Sequence, residues 1–200
     1  MSCLLVAGLG NPGASYQYNR HNIGHRVLDF LSEKLAFDFS LDMKFNAQIG
    51  KIMIEEKRIY FLKPQTFMNL SGESIAPFAR YFDAKAIMVI HDELDIPFGN
   101  IRFKNAGSSG GHNGLKSLDS HYGNEYFRLR FGIGRPSDSQ RVVDYVLSDF
   151  TDDEENKILP LIEHCKEAVM SFCLNPDIAL LQSRFSLKLK NITTKDTDAL

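Results

Sequence analysis

Five apolar runs in this chain each end in a short polar motif: GLGNPG at 8–13, RHN at 20–22, FMNLSG at 67–72, HDELD at 91–95 and GGHNGL at 110–115. A chain built this way must put several polar segments at the ends of buried elements. Open α/β folds gather such segments in the crevice beyond the carboxyl ends of their strands, where their chemistry lies. The pattern therefore predicts an α/β enzyme with one cleft at the edge of a sheet.

Local periodicity supplies the elements. Residues 3–8 form a short apolar run closed by a Gly/Asn/Pro turn, which fits a buried first strand. Asn22 can cap a helix whose apolar positions Ile23, Val27, Phe30, Leu31 and Leu35 recur at helical spacing. Residues 47–54 and 58–62 read as a strand pair around Glu55, Glu56 and Lys57, and Ser71 opens a helix through about Phe82. Residues 86–90 make a β-branched-rich strand running into His91 and Asp92. Strands follow at 101–104 and 127–132, with a Gly-rich loop and a helix at 115–121 between them. Residues 152–175 and 176–185 are helical, and the polar stretch after about Leu189 has no core face.

Two hundred residues at 44% apolar content can bury a substantial core, and no Pro/Gly-rich linker divides them, so one domain is expected. The run Cys3 to Ala7 is too short for a signal h-region, and no stretch approaches the roughly 18 apolar residues needed to span a bilayer. A cytoplasmic protein follows as the expectation. Cys3, Cys165 and Cys173 show no CxxC spacing, which fits buried thiols rather than a disulfide framework or zinc knuckle. A net charge of −2 argues against a generally cationic nucleic-acid binder. Locally the balance reverses: between Gly99 and Arg141 seven basic residues face three acidic ones, a surplus of +4. The acidic block Asp152, Asp153, Glu154, Glu155 is the charge expected at a helix N-terminus.

Two motifs mislead. Gly8 to Gly13 satisfies G-x-G-x-x-G, with Asp29 near the place of a ribose-binding acid. A dinucleotide site, however, needs the helix to start inside the glycine motif so that its N–H groups meet the pyrophosphate, and here helical periodicity begins only near Asn22. Gly107 to Gly111 satisfies G-x-S-x-G between a strand and a helix, which would make Ser109 a nucleophile. A small-residue loop matches that pattern easily and can equally give backbone room to a ligand.

The stronger chemistry lies elsewhere. His21 precedes a helix in a polar setting, and Asp92 follows a strand directly. A carboxylate so placed can hold an imidazole in one tautomer and stabilise its charged form, giving a base-and-orienter pair. Asn11, Asn69 and Asn113 stand at three motif ends. They offer non-titrating donors and acceptors for a water and a polarised carbonyl, although each alone could be a turn residue. Phe67 and Met68 could form an apolar wall beside Asn69. A metal set drawn from His21, His91, His112 and Asp92 lacks ligand spacing such as H-E-x-x-H.

The order GLGNPG, Tyr16, RHN-x-G, KPQTFMNLSG, HDELD-x-P-x-G, GGHNGL and RLR-x-GIG resembles the bacterial peptidyl-tRNA hydrolase family over about residues 4–185. The resemblance implies a single-domain α/β fold with a mixed, twisted sheet wrapped by helices, giving a catalytic domain at 1–187; the stretch 188–200 matches no family motif and reads from its polar composition as a flexible tail. It implies a monomer, without metal or organic cofactor, that hydrolyses the ester between a peptide and the 3′ end of tRNA. By motif, His21 would activate water, Asp92 would orient it, and Asn11 would contact the peptide. Tyr16, Phe67, Met68, Asn69 and Asn113 would line the tRNA-terminus and peptide site. Arg102, Lys104 and Arg130 would meet acceptor-stem phosphates, a use the local +4 surplus suits. The loop 106–109 is richer in serine than the family's version. Two other readings stay open from the residues: a serine esterase using Ser109, and a non-catalytic protein that binds tRNA acceptor ends.

Overall fold

The computed structural model describes residues 2–137 and 140–189. The polar tail expected beyond residue 189 lies outside them. Seven strands form one sheet: β1 (Cys3–Gly8), β2 (Ser40–Asp42), β3 (Ala47–Ile54), β4 (Lys57–Pro64), β5 (Ala86–Glu93), β6 (Ile101–Asn105) and β7 (Phe127–Gly132). Six α-helices stand among the described residues: α1 (Ile23–Leu35), α2 (Ser71–Tyr81), α3 (Asn113–Tyr122), α4 (Val142–Val146), α5 (Asp152–Leu174) and α6 (Ile178–Phe185).

The strand order is β2-β3-β4-β1-β5-β7-β6. β1 runs parallel to β4 and β5, β5 parallel to β7, and the outer strands pair antiparallel, so the sheet is mixed. Every residue of β1 is buried, as a parallel strand covered on both faces requires. Alternation divides it: Leu4 and Val6 pack with α1 and α5 residues such as Val27 and Val169, whereas Cys3, Leu5 and Ala7 pack with α2 and α3 residues such as Phe78 and Leu118. Each fully buried Leu or Val contributes roughly 1.5–3 kcal/mol relative to exposure, so β1 anchors both cores.

β1 has β4 on one side and β5 on the other, and the chain leaves it toward β4 before returning to β5. The carboxyl ends of β1 and β5 therefore flank a topological switch point, the place where such sheets open a crevice. α5 begins with the acidic block, and Thr151 and Glu154 form a reciprocal capping box there. Cys3, Cys165 and Cys173 are buried free thiols. No described helix is long and apolar enough to cross a membrane. The element reading holds at each long segment. It misses β2 and α4, three and five residues long.

Candidate active site

Glycine at two positions lets α1 descend onto the strand ends. A Cβ on Gly8 would lie 2.3 Å from the Gly24 carbonyl oxygen, and one on Gly24 would lie 2.5 Å from the Ile90 carbonyl oxygen. Without side chains there, the turn at Arg20–Asn22 comes down over the end of β5. His21 Nδ1 then lies 2.8 Å from Asp92 Oδ1. An ionised carboxylate only accepts, so Nδ1 carries the proton and Nε2 keeps the free lone pair. That nitrogen has no hydrogen-bond partner among the described residues.

Burial by itself would pull His21 toward the neutral form, but the charge and hydrogen bond of Asp92 outweigh it and hold its pKa above the ordinary histidine value. Asp92 is buried, which favours its protonated form. His21 and His112 together overcome that and hold the carboxyl well below the usual carboxylate range.

His112 is the second partner. Its Nδ1 accepts from the Gly114 and Leu115 N–H groups at the start of α3, so its Nε2 bears the proton, which goes to Asp92 Oδ1 at 3.0 Å. One imidazole thus caps a helix and fixes the carboxylate that orients the other. The candidate ligand atoms of His21, Asp92 and His112 lie within 4.8 Å of one another. Both imidazole nitrogens stand at hydrogen-bond distance from Asp92 Oδ1, 2.8 and 3.0 Å, with a proton on each, so a bound ion would have to displace both protons and part each nitrogen from that oxygen to about 3.4 Å. The arrangement suits a hydrogen-bond relay better.

Asn22 corrects the sequence reading. It precedes α1 but makes no side-chain cap there. Its amide instead binds the Asn11 main chain in both directions, accepting from Asn11 N and donating to Asn11 O, each at 2.9 Å. Asn11 Oδ1 in turn accepts the Met68 N–H at 2.7 Å. Three motifs distant in sequence are joined by these bonds, and Asn11 Nδ2 stays without a partner among the described residues.

A cavity of about 170 Å³ opens above the pair, with His21, Asp92, His112, Asn113, Gly110 and Gly111 on one side and Val142, Val143 and Val146 of α4 on the other. Arg20 ties the two sides together. Its guanidinium is buried, ion-paired with Glu154 at 2.6 Å, bonded to Ser148 and Asp149, and stacked 4.4 Å from the Tyr145 ring centroid.

The family model for peptidyl-tRNA hydrolase matches residues 5–194. The chain belongs to the peptidyl-tRNA hydrolase family. The peptidyl-tRNA hydrolase of Helicobacter hepaticus is 59% identical over 98% of this chain and 91% of that protein. The one from Wolinella succinogenes is 48% identical over 92% and 95%. Among solved structures, the Acinetobacter baumannii peptidyl-tRNA hydrolase is 35% identical with a TM-score of 0.85, covering 92% of this chain and 94% of that one. These matches also establish the expected α/β fold.

Of the residues named by the family resemblance, His21, Asp92 and Asn113 line this cavity, whereas Asn11 lines a neighbouring one. Phe67 and Asn69 are exposed on the turn before α2, and Met68 is buried with its sulfur against Gly114. Tyr16 is half-buried in the turn after the first glycine motif. Arg102 and Arg130 oppose each other across β6 and β7, as do Lys104 and Arg128. They are not equally available. Arg102 bonds the Ile101 and Leu187 carbonyls, and Arg130 pairs with Glu93 at 3.0 Å. Arg128 is buried and pins the Gly-rich loop through the Gly107 and Ser108 carbonyls, whereas Lys104 is exposed. The misleading motifs resolve as well. Asp29 pairs with Lys63, helix α1 starts ten residues beyond Gly13, and the Ser109 hydroxyl has no hydrogen-bond partner among the described residues.

The sequence leaves two site residues without a role. It groups His112 with possible metal ligands, although a place just before a helix start is a sign of capping. Arg20 gives no sign beyond adjacency to His21, because its partners lie about 130 residues away.

Proposed function

We propose that this protein hydrolyses the ester joining a peptide, or an N-blocked aminoacyl group, to the 3′ end of tRNA, with His21 as general base. The observation that carries the reading is the 2.8 Å bond from His21 Nδ1 to Asp92, which leaves Nε2 unpartnered. His21 Nε2 removes a proton from a water placed against the ester carbonyl, and the water oxygen bonds to the carbonyl carbon. The Asn113 amide and the N–H groups of Gly110 and Gly111 receive the developing oxyanion. The tetrahedral intermediate then expels the ribose oxygen, which takes the proton back from the imidazolium. General-base help supplies about a hundred- to ten-thousandfold, and one oxyanion donor about a hundred- to a thousandfold.

Asp92 keeps His21 in the useful tautomer and supports its protonated form, and His112 keeps Asp92 in place. Asn11 Nδ2 contacts the acyl group, while Tyr16, Phe67, Met68 and Asn69 line the substrate crevice. A second cavity of about 170 Å³, between the β6–β7 face and the Gly-rich loop, is bordered by Lys104, Arg128 and Arg130 and by the carboxylates of Glu93 and Asp95, and its exposed Lys104 suits a phosphate of the acceptor stem. Such interactions add affinity without reading sequence. We further place the catalytic unit at residues 1–187, working as a monomer in the cytoplasm and returning tRNA to translation.

A single-turnover assay with N-acetyl-aminoacyl-tRNA tests the reading. Release of the acetyl-amino acid is expected. Stable binding of the tRNA with no release would make the protein a tRNA binder instead, and covalent labelling of Ser109 by a fluorophosphonate with loss of activity would make it a serine esterase.

A further inference from the structure

A third cavity, of about 230 Å³, lies between the end of β1, the start of α1, β3 and the residue after β4. Asn11 and Asn22 form part of its wall, and Asn22 directly follows His21. The strand order sets its direction. β7 and β6, which carry the cationic face, lie on one side of β5, and β1, β4 and β3 lie on the other. A substrate with its phosphates on the β6–β7 flank and its ester at His21 therefore has its acyl group heading toward this cavity.

The wall chemistry is specific. The Gln48 amide and Asn11 Nδ2 have no partner among the described residues. His25 is about nine-tenths buried; its Nε2 is fully enclosed without a hydrogen-bond partner, and its Nδ1, which is not enclosed, has none among the described residues. Its ring is clamped against Gly10, where an added Cβ would come within 2.6 Å. Burial, with Lys63 nearby, lowers the His25 pKa to about 3, so the ring is neutral at working pH. The carboxylate of Asp29 is answered by Lys63. What remains is a neutral surface of donors and acceptors, with the Gln65 amide nitrogen held by the Pro64 carbonyl at 3.2 Å and its oxygen free among the described residues, which matches peptide amides rather than phosphate or an ammonium group.

We propose that this cavity takes the second residue of the acyl group, the one preceding the ester-linked residue, by its main-chain amide, with His25, Gln48 and Gln65 as specificity-determining residues. The inference rests on the peptidyl-tRNA reading above.

The test compares kcat/KM for an N-acetyl-dipeptidyl-tRNA with kcat/KM for the matching N-acetyl-aminoacyl-tRNA, in wild type, in His25→Leu and in the double variant Gln48→Ala, Gln65→Ala. The double variant alters half-buried side chains at the cavity wall and keeps the test valid should loss of the buried ring unfold the protein. Loss of one or two hydrogen bonds predicts that the dipeptidyl-to-aminoacyl ratio falls roughly fivefold or more in a folded variant. A smaller change in the folded double variant overturns the assignment. Wild type that hydrolyses neither substrate fails at the earlier step and overturns the peptidyl-tRNA reading itself.

Discussion

Asp92 Oδ1 receives two imidazole N–H groups at 2.8 and 3.0 Å, so one buried atom sets the tautomers of His21 and His112. Replacing Asp92 with Asn removes the charge that holds the His21 pKa up and leaves burial, which pulls it down. The base form of His21 exists above its pKa, so the acid limb of kcat/KM in Asp92→Asn should move to lower pH. Its plateau should fall by less than loss of His21 causes. A pH–rate profile from pH 5 to 9 checks this, and an unmoved limb would remove Asp92 from the orienting role. His21 and Asp92 were legible because each borders a strongly periodic element. His112 and Asn22 were not, because a polar residue before a helix has several uses and only the folded partners select one. Asn22 forgoes its cap to lock Asn11, and His112 takes a cap elsewhere.

Placement of these residues depends on how α1 meets the strand ends and how the 141–154 segment is held. A Gly24→Ala methyl would collide with Leu9 N and Ile90 O, so α1 must shift. The expected cost is about 1–3 kcal/mol of stability, with a fall in kcat/KM as His21 leaves Asp92, measured by urea unfolding and steady-state kinetics. Arg20→Ala strips the half-buried Glu154 of its cation and opens the tie to α4. Loss of about 3 kcal/mol is expected, and unfolding at near-normal urea concentration would contradict it. On the β6–β7 flank, Lys104→Ala with Arg130→Ala should weaken tRNA binding and reduce the slope of log affinity against log salt by roughly one for each phosphate no longer neutralised. The long elements were readable from periodicity alone. α4 was not, because five residues offer barely more than one turn, and β2 is an exposed edge of three residues that pairing with β3 creates.

Over the whole molecule, the fold buries imidazoles that it cannot charge. Burial drives the pKa of both His25 and His91 down to about 3. The unfolded chain therefore binds more protons than the folded one between about pH 6.5 and 3, and stability must fall as pH falls through that window. Each group contributes about 1.4 kcal/mol per pH unit. His21, with its raised pKa, is protonated in both states there and adds no slope. Urea midpoints from pH 7 to 4 should show the loss, and a flat profile would mean that these rings are solvated. The sheet order, which no local pattern specifies, brings residues 21, 92 and 112 to one cavity from three separate segments, with Asn11 bonded to the neighbouring Asn22. On the proposed reading that convergence makes His21 a base toward water, and single-turnover release of N-acetyl-amino acid from tRNA by His21→Ala, with enzyme in excess, tests it most directly. Release slowed at least about a hundredfold with tRNA affinity preserved is the predicted result, and release at near wild-type rate would contradict the account.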